Sequence, residues 1–321
     1  VGLNYNTASN QYTPDSAGSK HQLYTHYSIT QKALNIGYQG IVHRVAGHWN
    51  LFVDAGYDWV KWINFSGVGN ESEVPEGDRD YYRIRSSVLS INTAFQHRIG
   101  KQSSIIITPF FQRIKLLEDK GRYLSKASVN EPLENYEPTY FGGLRGDLLL
   151  QRLDDQLLPT KGVIFSTGVA HVRNTNGAKA FTNYNAYSRF YLPFLSHFVL
   201  SVENGGATVI GEPEFYQLNS IGGSSLRGFR RDRFWGETIF HNNNELQYLF
   251  DAPAKLFIGK LGLLAFVDQG RVWKKGEQSG KWHYGYGGGL IVVPYRKVFL
   301  SMQYGISNER AGFHFTLRRP L

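Results

Sequence analysis

The chain has 321 residues, a formal net charge of +9 and no cysteine. The absence of cysteine excludes disulfide scaffolds, thiolate metal sites and cysteine nucleophiles. The basic residues are scattered and form no RNP, zinc-finger or basic-helix pattern, so the charge favours an anionic membrane surface over nucleic acid as a partner.

Apolar and polar residues alternate with a period of two along most of the chain, which is typical of strands. In residues 49–59 every odd position, including Leu51 and Val53, is apolar or aromatic, whereas most even positions, such as Asp54, are polar or glycine. The pattern predicts about fifteen strands, at residues 1–8, 20–30, 34–43, 47–62, 80–97, 102–118, 139–152, 161–174, 181–193, 196–208, 238–250, 256–271, 281–294, 297–306 and 310–319. Most reach the roughly nine to eleven residues that a tilted strand needs to cross a bilayer.

The connections between these strands alternate in length. Short connections such as "HRVAG", "LPFLS", "DAPAK" and "PYRK" fall on one side, and long ones at 64–80, 118–139 and 221–236 fall on the other. Exceptions are 10–20 and 152–162 on the short side and 30–33 on the long side.

A soluble β-sandwich or propeller also has alternating strands. A sandwich of this length would need several domains with linkers, and a propeller would show repeats of about forty residues; the sequence has neither. The polar faces are rich in Asn, Gln, Asp and Gly, which suits a wet lumen better than a dry core. We therefore predict an all-β fold, a transmembrane antiparallel β-barrel, with outward-facing residues that include Leu51, Val53, Leu263, Ala265, Leu300 and Met302.

Aromatic residues near the predicted strand ends would form the two interfacial belts of such a barrel. They are Trp59, Trp62, Tyr81, Tyr82, Phe110, Phe111, Tyr140, Tyr191, Trp273 and Trp282. For any one of them, ordinary strand propensity is the better explanation, so the prediction rests on the set and not on its members.

The stretch "IGGSSLRGFRRDRFWG" at 221–236 places four arginines within ten residues. It precedes two strands whose alternation points two carboxylates, Glu245 and Asp268, to the same side as Asn243, Gln247, Phe266 and Gly270. Two inward carboxylates on adjacent strands therefore follow directly after an arginine-bearing loop.

These residues resemble the BamA-like superfamily of outer-membrane assembly and translocation barrels, which includes the bacterial surface antigen proteins. Its loop motif [V/L]-R-G-[F/Y] is matched by Leu226, Arg227, Gly228 and Phe229, and its F-x-D-x-G strand is matched by Phe266, Asp268 and Gly270. The segments "GVGNES" (67–72), "LPTKG" (158–162) and "GFHFTLRRPL" (312–321) also look like family segments.

The resemblance implies a plug-like loop that folds into the lumen, where Arg227 engages Asp268 first and Glu245 second. Arg230, Arg231 and Arg233 are then expected to be loop or surface charges. It also implies sixteen strands with the loop between strands eleven and twelve. Counting back makes the first predicted strand the second of the family, so residues 1–321 are expected to lack a first strand and an upstream periplasmic or enzymatic domain.

At the other end of the chain, Leu321 after Pro320 departs from the aromatic residue that usually ends outer-membrane strands. This departure bears on the strength of the assembly signal rather than on the fold.

No catalytic site, metal site or cofactor is predicted. The nearest match to G-x-S-x-G, around Ser166, has Ile164 in place of the first glycine, and the glycine run 287–289 lies within a strand. The ten histidines are dispersed, and Asp154 and Asp155 fall in a predicted turn.

Three functions remain open on the sequence: an assembly factor for outer-membrane proteins, a translocation pore for a secreted protein, and an anchor or exporter fused to an upstream hydrolase such as a phosphoesterase or patatin-like lipase. The first two are favoured, because a plug held by internal ion pairs suits a gated barrel. The resemblance implies a place in the bacterial outer membrane. The implied partners are outer-membrane lipid and lipopolysaccharide, unfolded outer-membrane or secreted proteins, and accessory lipoproteins.

Overall fold

The computed structural model describes residues 2–9, 18–29, 32–72, 80–119, 121–125, 136–253 and 257–319. Two short 3-10 helices, Tyr123–Ser125 and Phe215–Gln217, lie in connections. The strands are β1 Gly2–Ser9, β2 Ser19–Ser28, β3 Ala33–Ala46, β4 Trp49–Asn64, β5 Arg83–Ile99, β6 Ser103–Leu117, β7 Thr139–Leu153, β8 Gly162–Asn174, β9 Ala180–Phe194, β10 Phe198–Gly211, β11 Asn219–Ile221, β12 Phe234–Gly236, β13 Thr238–Asp251, β14 Gly259–Trp273, β15 His283–Pro294, β16 Phe299–Ser307 and β17 Ala311–Arg318.

Fifteen of these strands form one antiparallel sheet in chain order, and β11 and β12 pair with each other in the connection between β10 and β13. The fifteen strands coincide with the fifteen predicted ones to within a few residues at each end. Within the described residues, no strand pairs with the outer edge of β1 or of β17. The expected first strand and upstream domain stay predictions, and Pro320 and Leu321 lie outside the described residues.

The burial of side chains is reversed relative to a soluble sandwich. On β14, Leu263 and Val267 are 52% and 54% exposed, whereas Leu264, Phe266 and Asp268 on the opposite face are buried. On β16, Leu300 and Met302 are exposed while Ser301 and Gln303 are buried. An apolar outer face and a polar inner face fit lipid outside and a lumen inside, so the predicted faces of these two strands are confirmed.

The alternation of β4 changes near its end. Asp58 pairs with Val88, but Lys61 pairs with Ser86, so β4 contains one extra residue between these two pairs. Val88 and Ser86 are both buried and share a face of β5, which places Asp58 and Lys61 on the same side despite their odd spacing. In the connection that follows, Phe65 is 1% exposed.

The inner face is not polar throughout. An apolar cluster fills it at the end of the sheet with the short connections, hereafter the short-connection end. Its members are Leu153, Leu157, Tyr191, Val199, Leu249, Leu264, Phe266, Ile291, Val293 and Phe299. The expectation of an interfacial Tyr191 was therefore wrong, because this residue is 4% exposed and points inward. Being near a strand end does not decide which face a side chain occupies.

A second cluster lies at the opposite end, hereafter the long-connection end, where the connections 65–82, 118–138 and 212–237 meet. Phe65, Tyr123 and Trp235 pack together there, with Tyr81 and Tyr82 against them. Tyr81 and Tyr82, which were expected near a membrane interface, belong to the connection 65–82 and are partly buried against this cluster. No helix of the described residues is long and apolar enough to span a membrane.

The two faces can be tested with one substitution type. Ala265→Arg, in the middle of the outward residues of β14, should lower the free energy of unfolding by about 2 to 4 kcal/mol, because a guanidinium in hydrocarbon loses hydration. Ala170→Arg is the matched control, because Ala170 pairs with Arg145 and therefore lies on the inner face. This substitution should lower the free energy of unfolding by less than half as much. Urea unfolding in lipid vesicles measures both, and equal costs would contradict the assigned faces.

Candidate functional site

The arginine loop, residues 219–236, carries its own small core. Its two ends pair as β11 and β12, with Ile221 opposite Phe234. Leu226, Phe229 and Phe234 are at most 2% exposed and pack with Ile221 on Val272 of β14. Leu226 and Phe229 of the predicted motif therefore hold the loop against the inner face of the sheet, with apolar contacts on both sides of Arg227.

Arg227 lies on the inner face and is 7% exposed. Its Nε donates a hydrogen bond to Asp268 Oδ2 at 2.7 Å and its Nη2 to Oδ1 at 2.6 Å, and its backbone N–H also donates to Oδ2 at 2.9 Å. Its Nη1 donates to Glu245 Oε2 at 2.7 Å and to Gln303 Oε1 at 2.8 Å. Arg227 thus joins the loop to β13, β14 and β16.

The geometry of this contact suits a guanidinium and not an ammonium. The planar fork faces both oxygens of Asp268 while Nη1 reaches a second strand, and the Cζ atom lies 3.6 Å from the centre of the Phe266 ring. Gln247 donates to the remaining oxygen of Glu245 at 2.6 Å. Each charged group therefore has hydrogen-bond partners that replace lost water, which a buried ion pair requires.

Two glycines permit the close approach of loop and sheet. Gly228 has a φ of +91°, and a Cβ there would lie 2.7 Å from the backbone of Ile306. A Cβ on Gly285 of β15 would lie 1.8 Å from the carbonyl oxygen of Arg227. The predicted Gly270 differs, since a Cβ there would meet only the end of the Ile221 side chain, at 2.9 Å from Cδ1. A side chain at Gly228 or Gly285 would displace the loop, because it would meet backbone.

Sequence reasoning missed several partners of the loop. Gln303, which accepts from Arg227, was not among the predicted partners. Two other residues bind Gly228: its N–H donates to His314 Nε2 at 3.3 Å, and Ser307 Oγ donates to its carbonyl at 2.9 Å. A signal for this surface was present in β15, where Gly285, Gly287 and Gly289 alternate. Glycine within a strand often marks the close approach of another backbone.

Arg233 corrects the expectation of a surface charge. It is 2% exposed, and its Nε and Nη2 donate to the two oxygens of Glu309 at 2.7 and 2.8 Å. Its Nη1 donates to Ser66 Oγ at 3.0 Å and to Ser72 Oγ at 2.8 Å. Arg233 therefore connects the loop to the β4–β5 and β16–β17 connections. Arg231, in contrast, is 82% exposed, as predicted.

The segment 67–72 closes over the loop. Asn70 Nδ2 donates to the Val272 carbonyl at 2.7 Å, the Val272 N–H donates back to Asn70 Oδ1 at 3.1 Å, and the Gly69 N–H donates to the Trp235 carbonyl at 2.8 Å. Hydrogen bonds from Ser279 Oγ and Lys281 Nζ lower the pKa of Glu71 in the same segment. The segment 67–72 thus contacts the arginine loop, β14 and the β14–β15 connection.

The remaining motifs show no reactive arrangement. Asp154 organises the β7–β8 turn, since its Oδ1 accepts the N–H groups of Asp155, Thr160 and Lys161. Across the part of the chain that the structure describes, no three His, Asp or Glu side chains lie close enough together to hold a metal ion.

Known proteins share sequence features and the fold of this chain. The sequence profile of the Omp85 superfamily domain matches residues 50–294. BamA from Haemophilus ducreyi lacking POTRA domains 1-3 has a similar structure, with a TM-score of 0.69 and 16% identity over 98% of this chain and 68% of that one. None of the curated proteins matches the sequence significantly.

Two structures of CdiB are also similar. CdiB from Escherichia coli gives a TM-score of 0.63 at 14% identity, and CdiB from Acinetobacter baumannii gives 0.59 at 12% identity. Each covers 98% of this chain, which spans 58% and 59% of those proteins respectively. At these identities the structural likeness concerns the fold alone, and it confirms the predicted all-β barrel with an inward loop.

The coupling of Arg227 to Asp268 can be measured with a double-mutant cycle. Arg227→Ala and Asp268→Ala should each lower the free energy of unfolding by about 3 to 5 kcal/mol, because each leaves a buried charge without its partner. The double variant should lose less than the sum by about 0.5 to 3 kcal/mol. Arg227→Lys should restore only part of the loss. Additive losses in denaturant unfolding would contradict the coupling.

Arg233 and Arg231 form a matched pair of arginines in one loop. Arg233→Ala should lower the free energy of unfolding by about 2 to 4 kcal/mol, slightly below the range for a fully buried pair because Glu309 is partly exposed. Arg231→Ala should change it by less than about 0.5 kcal/mol, as is usual for exposed side chains. A loss of equal size for both variants would contradict the buried role of Arg233.

Proposed function

The chain belongs to the Omp85 superfamily, and from this membership and the anchored loop we propose that it assembles other proteins into the outer membrane or moves a polypeptide across it. It is an outer-membrane β-barrel protein of the kind found in Gram-negative bacteria. Neither proposed activity needs a catalytic group, because both depend on the barrel wall and its interior.

The observation that carries the proposal is the anchoring of Arg227. Five hydrogen bonds from this one residue join the loop to three strands of the barrel wall. A loop held in the lumen by internal ion pairs suits a gated barrel better than a permanently open one. The contacts are polar and directional, so they can be exchanged for water or for another polar chain when the loop moves.

Three groups of contacts lie on the inner side of the sheet. Asn70 and Arg233 join the loop to neighbouring connections, Arg227 fixes the loop to the strands, and the apolar cluster around Leu157 and Ile291 lies at the short-connection end. We infer that an extended polypeptide crosses the barrel only after the loop leaves. Translocation therefore requires release of Arg227.

We propose unfolded outer-membrane or secreted proteins as substrates. Outer-membrane lipid and lipopolysaccharide would surround the apolar outer face, and accessory lipoproteins are further candidate partners. The long connections are expected to face outside the cell and the short ones the periplasm, as in other outer-membrane barrels. A substrate from the periplasm would then first meet the end that carries the apolar cluster.

Depletion of the protein in its own host tests the proposal. A role in assembly predicts a fall of several folded, heat-modifiable outer-membrane proteins, whereas a role in translocation predicts that one secreted polypeptide accumulates in the periplasm. Neither effect after depletion would contradict the proposal and would favour a barrel that anchors a fused domain.

Complementation by variants then tests the loop. Arg227→Ala should restore less than about a tenth of the wild-type activity at equal membrane levels, because loss of a group that couples several contacts costs more than about 1.4 kcal/mol. Arg231→Ala, from the same loop but exposed, should restore it fully. Full activity of Arg227→Ala would contradict a role for the anchored loop.

A further inference from the structure

A second group of charged side chains lies on the inner face, on β9, β10 and β13. At its centre is Glu203 of β10, whose carboxylate lies 3.3 Å from Arg189 Nε and 3.4 Å from His241 Nε2. The Tyr187 hydroxyl donates a hydrogen bond to Glu203 Oε2 at 3.0 Å. Arg189 also donates from Nε to Ser201 Oγ at 3.1 Å. Glu203 therefore has three partners and would retain two of them without Arg189.

The register of the strands brings Arg189 close to a second carboxylate, that of Glu245. Ser201, which accepts the hydrogen bond of Arg189, pairs directly with Glu245 across β10 and β13. The Cβ atoms of directly opposed residues lie about 5 Å apart. Arg189 also interacts electrostatically with both Glu203 and Glu245. A long arginine side chain at this position can thus face either carboxylate after rotation about its side-chain bonds.

The closed arrangement keeps Arg189 on Glu203. Glu245 Oε2 accepts from Arg227 Nη1 at 2.7 Å, and its Oε1 accepts from Gln247 at 2.6 Å. A second guanidinium on the same carboxylate would be repelled by the first, so Arg189 gains less from Glu245 while Arg227 is present. Loss of Arg227 reverses this preference, because Glu245 is 6% exposed and a buried carboxylate without a cation is unfavourable.

We propose that Arg189 replaces Arg227 on Glu245 when the arginine loop is released. The transfer needs a change in one side chain only, and Glu203 keeps its other two partners. Asp268 differs, since among the ion pairs of the described residues its cation is Arg227 alone. Release of the loop therefore leaves Asp268, and not Glu245, as the carboxylate that lacks a cation of the barrel wall.

Arg189 is in this account a positioning residue that sets the free energy of loop release. It contributes more to the released state, where it is the cation of Glu245, than to the closed state, where Arg227 has that position. A side chain that stabilises one of two states shifts the population towards that state. The inference rests on the proposed function in one respect, which is that the loop leaves the lumen during activity.

Release of the loop can be measured by the reaction of a thiol, because the chain has no cysteine. Leu226→Cys places a single thiol at a loop position that is 0% exposed, so a thiol reagent reacts there only in the released state. When the loop recloses quickly, the labelling rate is proportional to the population of the released state. The full-length protein in lipid nanodiscs is used, and heat-modifiable migration on a gel verifies that each variant is folded.

Arg189→Gln should slow the labelling about tenfold, which corresponds to about 1.4 kcal/mol, because the released state loses its replacement cation. A residue that only stabilised the closed arrangement would have the opposite effect. In a Glu245→Gln background, Arg189→Gln should leave the labelling rate unchanged. Arg145→Gln is the control and should not change the rate, since Arg145 lies on the inner face of β7 and pairs with Asp147 at 3.3 Å.

Glu203→Gln tests the same transfer from the other side. It frees Arg189 for Glu245, so it should speed the labelling. Four results would overturn the proposal: unchanged or faster labelling of Arg189→Gln, the same slowing in the Glu245→Gln background, unchanged or slower labelling of Glu203→Gln, or equal slowing by Arg145→Gln. The labelling needs no substrate, so its outcome is independent of the depletion experiment that tests the proposed function.

Discussion

The buried guanidinium of Arg227 is the constraint on which the arrangement of the loop depends. A charge removed from water to this extent is stable only if opposite charge and hydrogen bonds replace its hydration. Asp268 and Glu245 supply the charge from adjacent strands, and Gln303 supplies an oxygen from a third. Because these three groups are fixed by the register of the sheet, the loop can satisfy Arg227 in only one position.

A second buried arginine, Arg233, needs partners for the same reason and finds them in the connections. Arg233 is satisfied by Glu309 and by serines of the segment 66–72, so two connections that are remote in the sequence are held by one side chain of the loop. The loop is therefore anchored twice, by Arg227 to the strands and by Arg233 to the connections above it. Movement of the loop must disturb both anchors, which makes the closed state cooperative.

The period-two alternation predicted the strands well, since each face of a membrane barrel meets a uniform environment. The inward direction of Glu245 and Asp268 could also be predicted from the parity of consecutive strands, whereas Arg227 was identified as their partner by the family resemblance. The partner of Arg233 could not be predicted, since Glu309 is 76 residues away and lies in a turn. Tyr191 was assigned to the membrane interface because it lies near a strand end. That position alone does not show that its side chain points inward.

The inner face of β15 explains why the loop can be both tightly held and replaceable. Gly285 lies against the Arg227 backbone and Gly287 lies beneath the Phe266 ring, so the wall there offers backbone instead of side chains. When the loop leaves, Asp268 and Glu245 lose their cation at a surface that has room for another chain. The free energy of opening is then set by what replaces Arg227: water alone leaves two carboxylates side by side, whereas an incoming polar or basic segment restores their hydrogen bonds. If the proposed function holds, a substrate that provides such a segment would lower the cost of opening, and the contacts that hold the loop would then select the polypeptide that displaces it.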